Sequence, residues 1–247
     1  MERIGTPQHS APRTIAVWAA LHRELERADG RRLTVVDVGG GTGGFAVPLA
    51  QAGHEVTVVD ASPDALAALA RRAAEAGVAQ RVRPVQGDGD ALAELLAAGS
   101  VDLVLCHSLL EVVDDPAGVL SALAVVLRPG GAASVLVANR VAAVLARAVG
   151  GHLAVASALL TDADGRAGPR DTLRRRFTAE SASALLADAG LIVEEIHGVR
   201  VVVDLLPGAV VEGQAEALGE FELAASGLRP YRDIATQLHL FARKPLG

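Results

Sequence analysis

Residues 33–44 of this 247-residue chain read LTVVDVGGGTGG. The first six are rich in valine and predict a buried strand. Five of the next six residues are glycine, and an apolar run typical of a helix follows them. Glycine lets a backbone approach a ligand closely, and the N–H groups at the start of a helix can face polar ligand atoms. The stretch therefore predicts a strand, a glycine loop and a helix, with a ligand site at the loop.

The same alternation of strand and helix continues along the chain, which predicts an α/β fold. We expect a doubly wound, mostly parallel sheet of seven strands with helices on both faces. Because no parallel partner follows the last two strands, the C-terminal one is expected to close the sheet as an antiparallel edge strand. Helices are predicted near 13–28, 141–149, 178–189 and 213–226. The strands are predicted at 33–38, 55–60, 81–86, 101–106, 132–138, 191–197 and 235–242.

Composition and charge exclude several classes of protein. The chain is 51% hydrophobic, which excludes disorder, and its net charge of −6 excludes a surface that binds nucleic acid everywhere. The single cysteine, Cys106, excludes an intramolecular disulfide and is expected in the core. The sequence shows no secretory pattern and no apolar run long enough to cross a bilayer, so we expect a cytoplasmic protein without a membrane partner.

The glycine loop fits two nucleotide-binding motifs. Gly39, Gly41 and Gly44 satisfy G-x-G-x-x-G, which is typical of nicotinamide dinucleotide sites. Asp37, Gly39, Gly41 and Gly43 satisfy D-x-G-x-G-x-G, the first motif of class I S-adenosylmethionine-dependent methyltransferases, and this match uses one more residue. On the loop alone, both interpretations stay open.

Residues after the later strands favour the second interpretation. Asp60 ends the second strand, where a carboxylate can accept hydrogen bonds from ribose hydroxyls, although both cofactors carry a ribose. Residues 87–90 read GDGD and follow the third strand, where methyltransferases of this class contact adenine. Residues 101–105 (VDLVL) and 127–131 (LRPGG) also resemble that class. The chain thus resembles a class I methyltransferase, which implies that class's fold and S-adenosyl-L-methionine as cofactor.

Five further blocks narrow the resemblance and span most of the chain, from Arg13 to Lys244. They are Arg13 with Trp18, residues 36–41, residues 106–116 (CHSLLEVVDDP), residues 198–201 (GVRV) and the C-terminal run 220–244. Together they resemble the tRNA 5-carboxymethoxyuridine methyltransferases, a family that esterifies a carboxylate on the wobble uridine.

This resemblance implies a set of cofactor contacts. Arg13 would bind the methionine carboxylate, because a guanidinium donates a bidentate pair of hydrogen bonds to a carboxylate. The other predicted cofactor-binding residues, from the family and from the glycine motif, are Asp37, Gly39, Gly40, Gly41, Gly43, Asp60, Asp88, Gly89 and His107.

The chemistry of the acceptor determines which residues would be catalytic. A carboxylate acceptor is already ionised, so it needs a cation that orients it. Arg200 is the first candidate, with Tyr231 as a hydrogen-bonding neighbour; the alternative for Arg200 is an ion pair with Asp204 or Glu222. A hydroxyl or amine acceptor would need a base, and His107 is then the candidate. No histidine and carboxylate cluster has metal-binding spacing, so we expect metal independence.

One methyltransferase domain is expected over residues 1–247. A helix within 1–30 is expected over the cofactor, and residues 139–177 are expected to form a substrate-side insertion. Near its end, the insertion has five arginines and one aspartate, a local excess of positive charge that would form an anion-facing patch. The arginines are Arg166, Arg170, Arg174, Arg175 and Arg176.

The identity of the acceptor stays open at this point. Val112 and Val202 stand where the family has aromatic residues, which weakens the inference that a nucleobase is stacked in the pocket. The partner is therefore predicted to be tRNA or a small-molecule acceptor, with no DNA, and the chain a monomer or homodimer. A small-metabolite O- or N-methyltransferase is the alternative, and a non-catalytic S-adenosylmethionine-binding protein is the alternative of another class.

Overall fold

The computed structural model describes residues 11–246, and a sheet of seven strands forms its centre. The strands are β1 (Thr34–Val38), β2 (Glu55–Asp60), β3 (Val82–Gln86), β4 (Val101–His107), β5 (Leu127–Ala138), β6 (Ile192–Val199) and β7 (Gln237–Arg243). Their order across the sheet is β3-β2-β1-β4-β5-β7-β6. β7 is antiparallel to both of its neighbours, and the other pairs are parallel. The predicted doubly wound, mostly parallel α/β fold is confirmed.

Helices cover both faces of this sheet. They are α1 (Ile15–Arg27), α2 (Ala46–Gln51), α3 (Pro63–Glu75), α4 (Leu92–Leu95), α5 (Pro116–Val126), α6 (Arg140–Val149), α7 (Leu153–Thr161), α8 (Ala179–Asp188), α9 (Gly208–Gly213) and α10 (Ala215–Ser226). Buried residues of α1, α2 and α3 belong to one large apolar cluster, and those of α4, α5 and α8 belong to a second. Two apolar layers therefore hold one sheet between them, as doubly wound folds require.

One detail of the sheet differs from the prediction. β7 is antiparallel as expected, but it lies between β5 and β6, so β6 forms the edge. The burial of the two strands explains this order. The five central residues of β7 are all buried, whereas the first six of β6 are exposed or half-buried and include two glutamates. A strand buried on both faces suits the interior of a sheet, and charged side chains suit an edge.

Some predicted boundaries shift because tertiary contacts extend or divide the elements. β5 begins at Leu127 instead of 132, because Leu127 pairs with Val101 of β4 and Gly130 N donates to Lys244 O at 2.9 Å. The helix predicted at 213–226 divides into α9 and α10, and α7 is an unpredicted helix after the glycine pair at 150–151. Ser62 caps α3, since its Oγ accepts a hydrogen bond from Ala65 N at 3.2 Å.

The topology places a crevice at the carboxyl ends of β1 and β4. β1 pairs with β2 on one side and with β4 on the other, so the order of strands reverses between them. Ligands of open α/β sheets bind outside the carboxyl ends of the strands at such a reversal. The glycine loop leaves β1 at this point, and residues 108–115 leave β4 beside it.

Among residues 11–246, no helix is both long and apolar enough to span a membrane.

Candidate functional site

The glycine loop adopts a backbone that only glycine accommodates easily. Gly39, Gly41 and Gly43 have φ angles of +69°, +54° and +80°. A Cβ on Gly43 would lie 2.3 Å from Leu69 Cδ1, and a Cβ on Gly40 would lie 2.5 Å from the carboxylate of the strand residue Asp37. Leu69 and Asp37 thus pack closely against the loop on the side that faces the protein interior, and the opposite side is left for a ligand.

Asp60 joins this loop to the end of β2. Its Oδ2 accepts a hydrogen bond from Gly41 N at 2.9 Å, and its Oδ1 accepts one from Ser62 N at 2.8 Å. Each carboxylate oxygen keeps a lone pair after these bonds. The carboxylate is therefore held by the backbone on one side and can accept two hydroxyl hydrogen bonds on the other.

A cavity of about 470 Å³ opens between the glycine loop, the ends of β2 and β3, and the segment after β4. Four of the predicted cofactor residues line it: Gly39, Asp60, Asp88 and Gly89. Its other lining residues are Val59, Ala61, Gly87, Asp90, Leu109, Val112, Val113, Asp114, Asp115 and Val119. Apolar walls with carboxylates at the rim suit a nucleoside, whose flat base is buried and whose hydroxyl groups donate hydrogen bonds.

Leu109 shows why two of these positions are glycine. A Cβ on Gly39 would lie 3.1 Å from Leu109 Cδ1, and a Cβ on Gly89 would lie 3.2 Å from Leu109 Cδ2. Leu109 therefore packs against both glycines and closes the floor of the cavity between them. Asp88 precedes the turn that begins at Gly89, and its side chain makes no capping hydrogen bond there, so its carboxylate is available to a ligand.

Asp37 lies under the glycine loop and does not line the cavity. The carboxyl group is buried, and desolvation, together with the nearby charge of Asp60, raises its pKa to about 7. The structure thus places Asp37 where it supports Gly40 from within the protein.

The raised pKa of Asp37 predicts a pH-dependent stability. Because the folded-state pKa lies above the unfolded value, the folded protein binds this proton more tightly, and the stabilisation is lost as the pH rises from about 4 to about 7. Asp37→Asn imitates the protonated form. We expect the free energy of unfolding of this variant in urea, relative to that of the wild type, to rise by up to about 1.4 kcal/mol per pH unit across this window. Parallel curves for the two proteins would contradict the assignment, and Asp64→Asn, on the exposed side of α3, is the control.

His107 belongs to a buried polar chain across the sheet. Its Nε2 lies 2.8 Å from Ser134 Oγ, which in turn lies 2.8 Å from His239 Nε2. Burial lowers the pKa of His107 to about 3. The imidazole is therefore neutral near pH 7 and is a weak base, which argues against the general-base role considered for it. His107 is also absent from the lining of the cavity, although its ring meets Phe45, which follows the glycine loop, at 4.6 Å between centroids.

The structure brings together the two arginines that were predicted to bind carboxylates. Asp204 Oδ1 lies 2.9 Å from Arg13 Nη1, and Asp204 Oδ2 lies 2.6 Å from Arg200 Nη2. Thr236 Oγ1 donates a further hydrogen bond to Asp204 at 3.0 Å. The ion pair between Arg200 and Asp204 was the alternative considered from the sequence, and it is present. One carboxylate thus holds two cationic groups side by side.

Glu222 has a different role from the ion pair considered for it. The residue is 1% exposed, and its carboxylate accepts hydrogen bonds from the N–H groups of Val201, Val202 and Val203, at 2.7, 2.9 and 2.8 Å. These residues follow Arg200, whose φ of +63° is unusual for a residue with a side chain. Glu222 therefore holds the turn that presents Arg200. The only signal in the sequence was an acidic residue on the buried face of a helix.

Tyr231 lies at the surface, and the residue is 48% exposed. It precedes a short 3₁₀ turn at Arg232–Ile234. Within residues 11–246, no side-chain hydrogen bond joins Tyr231 to Arg200. The role predicted for Tyr231, as a hydrogen-bonding neighbour of Arg200, therefore stays a prediction.

Two of the five insertion arginines, Arg175 and Arg176, point into the protein, and a third, Arg174, is paired with a carboxylate at the surface. Arg174 pairs with Asp114, Arg175 donates to backbone carbonyl oxygens of residues 110–114, and Arg176 pairs with the largely buried Asp171. The interpretation of all five as one anion-facing patch is therefore wrong. Arg166 and Arg170 are exposed and remain as positive charges at the surface of the insertion.

Cys106 is fully buried in β4, and burial raises the pKa of its thiol, so it packs as a small core residue as predicted. Within the described part of the chain, no group of three or more histidine, cysteine or acidic side chains has the arrangement of a metal site.

This strand order, with a glycine loop after β1 and an acidic residue at the end of β2, defines a class: the S-adenosylmethionine-dependent methyltransferases. A family model described as a methyltransferase domain matches residues 35–131. The chain is 32% identical over 237 residues to the tRNA 5-carboxymethoxyuridine methyltransferase of Escherichia coli K12, covering 94% of this chain and 88% of that protein. The chain therefore belongs to this methyltransferase family, and its cofactor is S-adenosyl-L-methionine.

Other methyltransferases match as well. The chain is 36% identical over 176 residues to the ubiquinone biosynthesis O-methyltransferase of Xanthomonas axonopodis pv. citri, covering 70% of this chain and 67% of that protein. In fold it is similar to magnesium protoporphyrin IX methyltransferase from Synechocystis PCC 6803, solved with bound S-adenosylhomocysteine, with a TM-score of 0.62 and 16% identity over 99% of this chain and 90% of that chain. Of the two motifs considered for the glycine loop, the methyltransferase motif is thus confirmed.

Proposed function

We propose that this methyltransferase transfers a methyl group to an anionic acceptor, the carboxylate of 5-carboxymethoxyuridine in tRNA. The observation that carries the proposal is the state of Arg200. Its Nη2 pairs with Asp204, while its Nε is buried and has no hydrogen-bond partner within the described residues. Buried donors are rarely left unpaired in native structures, so this unused N–H favours an acceptor supplied by a ligand.

The cavity fits the cofactor of the family. Asp60 would bind the ribose, Asp88 and Gly89 the adenine, and Gly39, Gly40, Gly41 and Gly43 would let the backbone approach closely. Arg13 would bind the methionine carboxylate, with His107 and Asp37 behind the loop. When bound, S-adenosyl-L-methionine supplies a methyl group on a sulfonium, which an acceptor displaces in line.

Arg200 would orient the acceptor without a proton transfer. A carboxylate is ionised near pH 7 and attacks directly, so the chain has to place it and exclude water. Asp204 lies between Arg13 and Arg200 and would fix the distance between the two guanidinium groups. The methionine carboxylate, bound by Arg13, and the acceptor carboxylate, bound by Arg200, would then be held in a constant relative position. This arrangement needs no general base, which agrees with the low pKa of His107.

Residues 139–177 would lie on the acceptor side of this site. Asn139 Nδ2 donates to Asp233 O at 2.9 Å and to Ala235 O at 2.7 Å, which ties the start of the insertion to the turn beside Tyr231. The exposed Arg166 and Arg170 would offer contacts to phosphate groups.

A second candidate is O- or N-methylation of a small metabolite. The exposed arginines of the insertion are few, and Val112 at the mouth of the cavity is not aromatic, so a large nucleic-acid acceptor is not required. A neutral acceptor would need a base. Glu111 is a better candidate than His107, because its carboxylate is buried, its Oε2 lacks a hydrogen-bond partner among the described residues, and desolvation raises its pKa.

The tRNA proposal is tested on tRNA from a strain that lacks its own 5-carboxymethoxyuridine methyltransferase. After incubation with the purified protein and S-adenosyl-L-methionine, mass spectrometry should show a methyl ester on the wobble nucleoside. Arg200→Met should lower the rate by about 100-fold, because an oriented charged hydrogen bond is lost, while Arg71→Met, at an exposed position of α3, should change it by less than about threefold. An unchanged wobble nucleoside, with S-adenosylhomocysteine still bound by the protein, would favour the metabolite instead.

A further inference from the structure

One side of the cavity is formed by residues 109–115, which we name the wall segment. It leaves the end of β4 and ends at Asp115, the cap of α5. Five of its residues line the cavity: Leu109, Val112, Val113, Asp114 and Asp115. The wall segment is a turn without a strand partner. Val112 N and Val113 N donate to Leu109 O within the turn, but the carbonyl oxygens that follow need partners from outside it.

Arg175, near the end of the insertion, supplies these hydrogen bonds. Its Nη1 donates to Leu110 O at 3.0 Å and to Val113 O at 2.5 Å, and its Nη2 donates to Asp114 O at 3.1 Å. One guanidinium thus satisfies three carbonyl oxygens of one turn. Its planar fork of donors is suited to this task, whereas a lysine ammonium offers donors from a single point.

The backbone of the insertion adds to the same contact. Arg174 N and Arg175 N donate to Glu111 O at 2.8 and 3.3 Å. The Arg174 side chain pairs with Asp114, but both side chains are well exposed, so this ion pair contributes little. Arg175 is therefore the side chain by which the insertion holds the wall segment.

The insertion is itself anchored behind this contact. Arg176 pairs with Asp171 and donates to Gly165 O at 2.9 Å. Phe177 N donates to Ala138 O at 2.9 Å, at the end of β5. The residues that follow Arg175 are thus held both by the rest of the insertion and by the end of β5, and this fixes the position from which Arg175 contacts the wall segment.

We propose that Arg175 is a positioning residue for the cofactor, and that through it the insertion sets the position of the cavity wall. The proposal rests on the assignment of the cavity to the cofactor, made above, and does not depend on the identity of the acceptor. Without the guanidinium, three carbonyl oxygens lose their partner and the turn relaxes toward solvent, which displaces Val112 and Val113 from the cofactor. Binding at the insertion and binding in the cavity are then coupled through one side chain.

The test is the affinity for S-adenosylhomocysteine, measured by calorimetry on the full chain. Arg175→Met should raise the dissociation constant by about tenfold or more, and Arg175→Lys should restore part of the loss. Arg174→Met, the neighbouring change, should stay within about twofold of the wild type, because it removes only an exposed ion pair. The lysine variant keeps the test valid if the methionine variant does not fold.

Two results would overturn the proposal. The first is a dissociation constant for Arg175→Met within twofold of the wild type. The second is an equal loss in Arg175→Met and Arg174→Met, which would indicate general loosening of the insertion. Asp60→Ala, measured in parallel, tests the assignment of the cavity to the cofactor separately from the role of Arg175. If Asp60→Ala binds S-adenosylhomocysteine as the wild type does, the assignment of the cavity is wrong. If Asp60→Ala binds more weakly and Arg175→Met does not, the proposed role of Arg175 is wrong.

Discussion

Asp60→Ala is expected to weaken the binding of S-adenosylhomocysteine by roughly 100-fold, which corresponds to about 2.7 kcal/mol. The carboxylate of Asp60 accepts hydrogen bonds from Gly41 N and Ser62 N and would accept two more from the ribose hydroxyls. Alanine removes the ribose contacts and also frees the glycine loop. Hydrogen bonds to a charged group contribute about 1.5–3 kcal/mol each, so the expected loss is large.

Two variants make this measurement specific. Asp60→Asn keeps one oxygen but places an amide where a second acceptor stood, so an intermediate affinity is expected. Asp64→Ala changes an exposed aspartate of α3 four residues away and should bind as the wild type does. Equal affinities of Asp60→Ala and the wild type in calorimetry would place the ribose outside this cavity.

The part of the site around Asp60 could be predicted because its signals are local. The valine-rich strand, the glycines and the acid at the end of the next strand lie within residues 33–60, and the parallel pairing of β1 with β2 places them together. Such patterns specify backbone conformation directly, since a loop with three positive φ angles requires glycine.

The rest of the site is formed by contacts between distant residues. Arg13 and Arg200 meet because both reach Asp204, and Arg175 reaches carbonyl oxygens more than sixty residues before it. No spacing in the sequence encodes these contacts. The run of arginines at 174–176 was interpreted as a surface patch because charged residues are usually exposed, but unpaired carbonyl oxygens of the wall segment recruit one of them inward.

The position of β7 illustrates the same limit for the fold. Its period and apolar content predicted a strand, and its antiparallel direction was expected because no parallel partner follows the last two strands. Its place between β5 and β6 depends on which strand can be buried on both faces, and that choice is made by packing.

Glu222→Gln is expected to lower the free energy of unfolding by about 2–4 kcal/mol. The two carboxylate oxygens accept three backbone N–H groups: Oε2 accepts Val201 N, and Oε1 accepts Val202 N and Val203 N. A glutamine that keeps the second pair of contacts turns its own N–H groups toward Val201 N. Two donors then face each other in a buried site, and the negative charge that attracted all three N–H groups is lost.

The same change should abolish most of the activity through Arg200, since the turn at 201–203 fixes the backbone from which Arg200 extends. Urea unfolding measures the first effect, and methyl transfer to the acceptor at a temperature where the variant is folded measures the second. Glu220→Gln alters an exposed residue of the same helix, α10, and should change neither. Because Glu222 does not line the cavity, the affinity for S-adenosylhomocysteine should fall by less than about threefold, and the variant would then affect the acceptor site far more than the cofactor site. Wild-type stability in Glu222→Gln would show that the turn is held by other contacts, and wild-type transfer rates in a destabilised variant would remove Arg200 from the acceptor site.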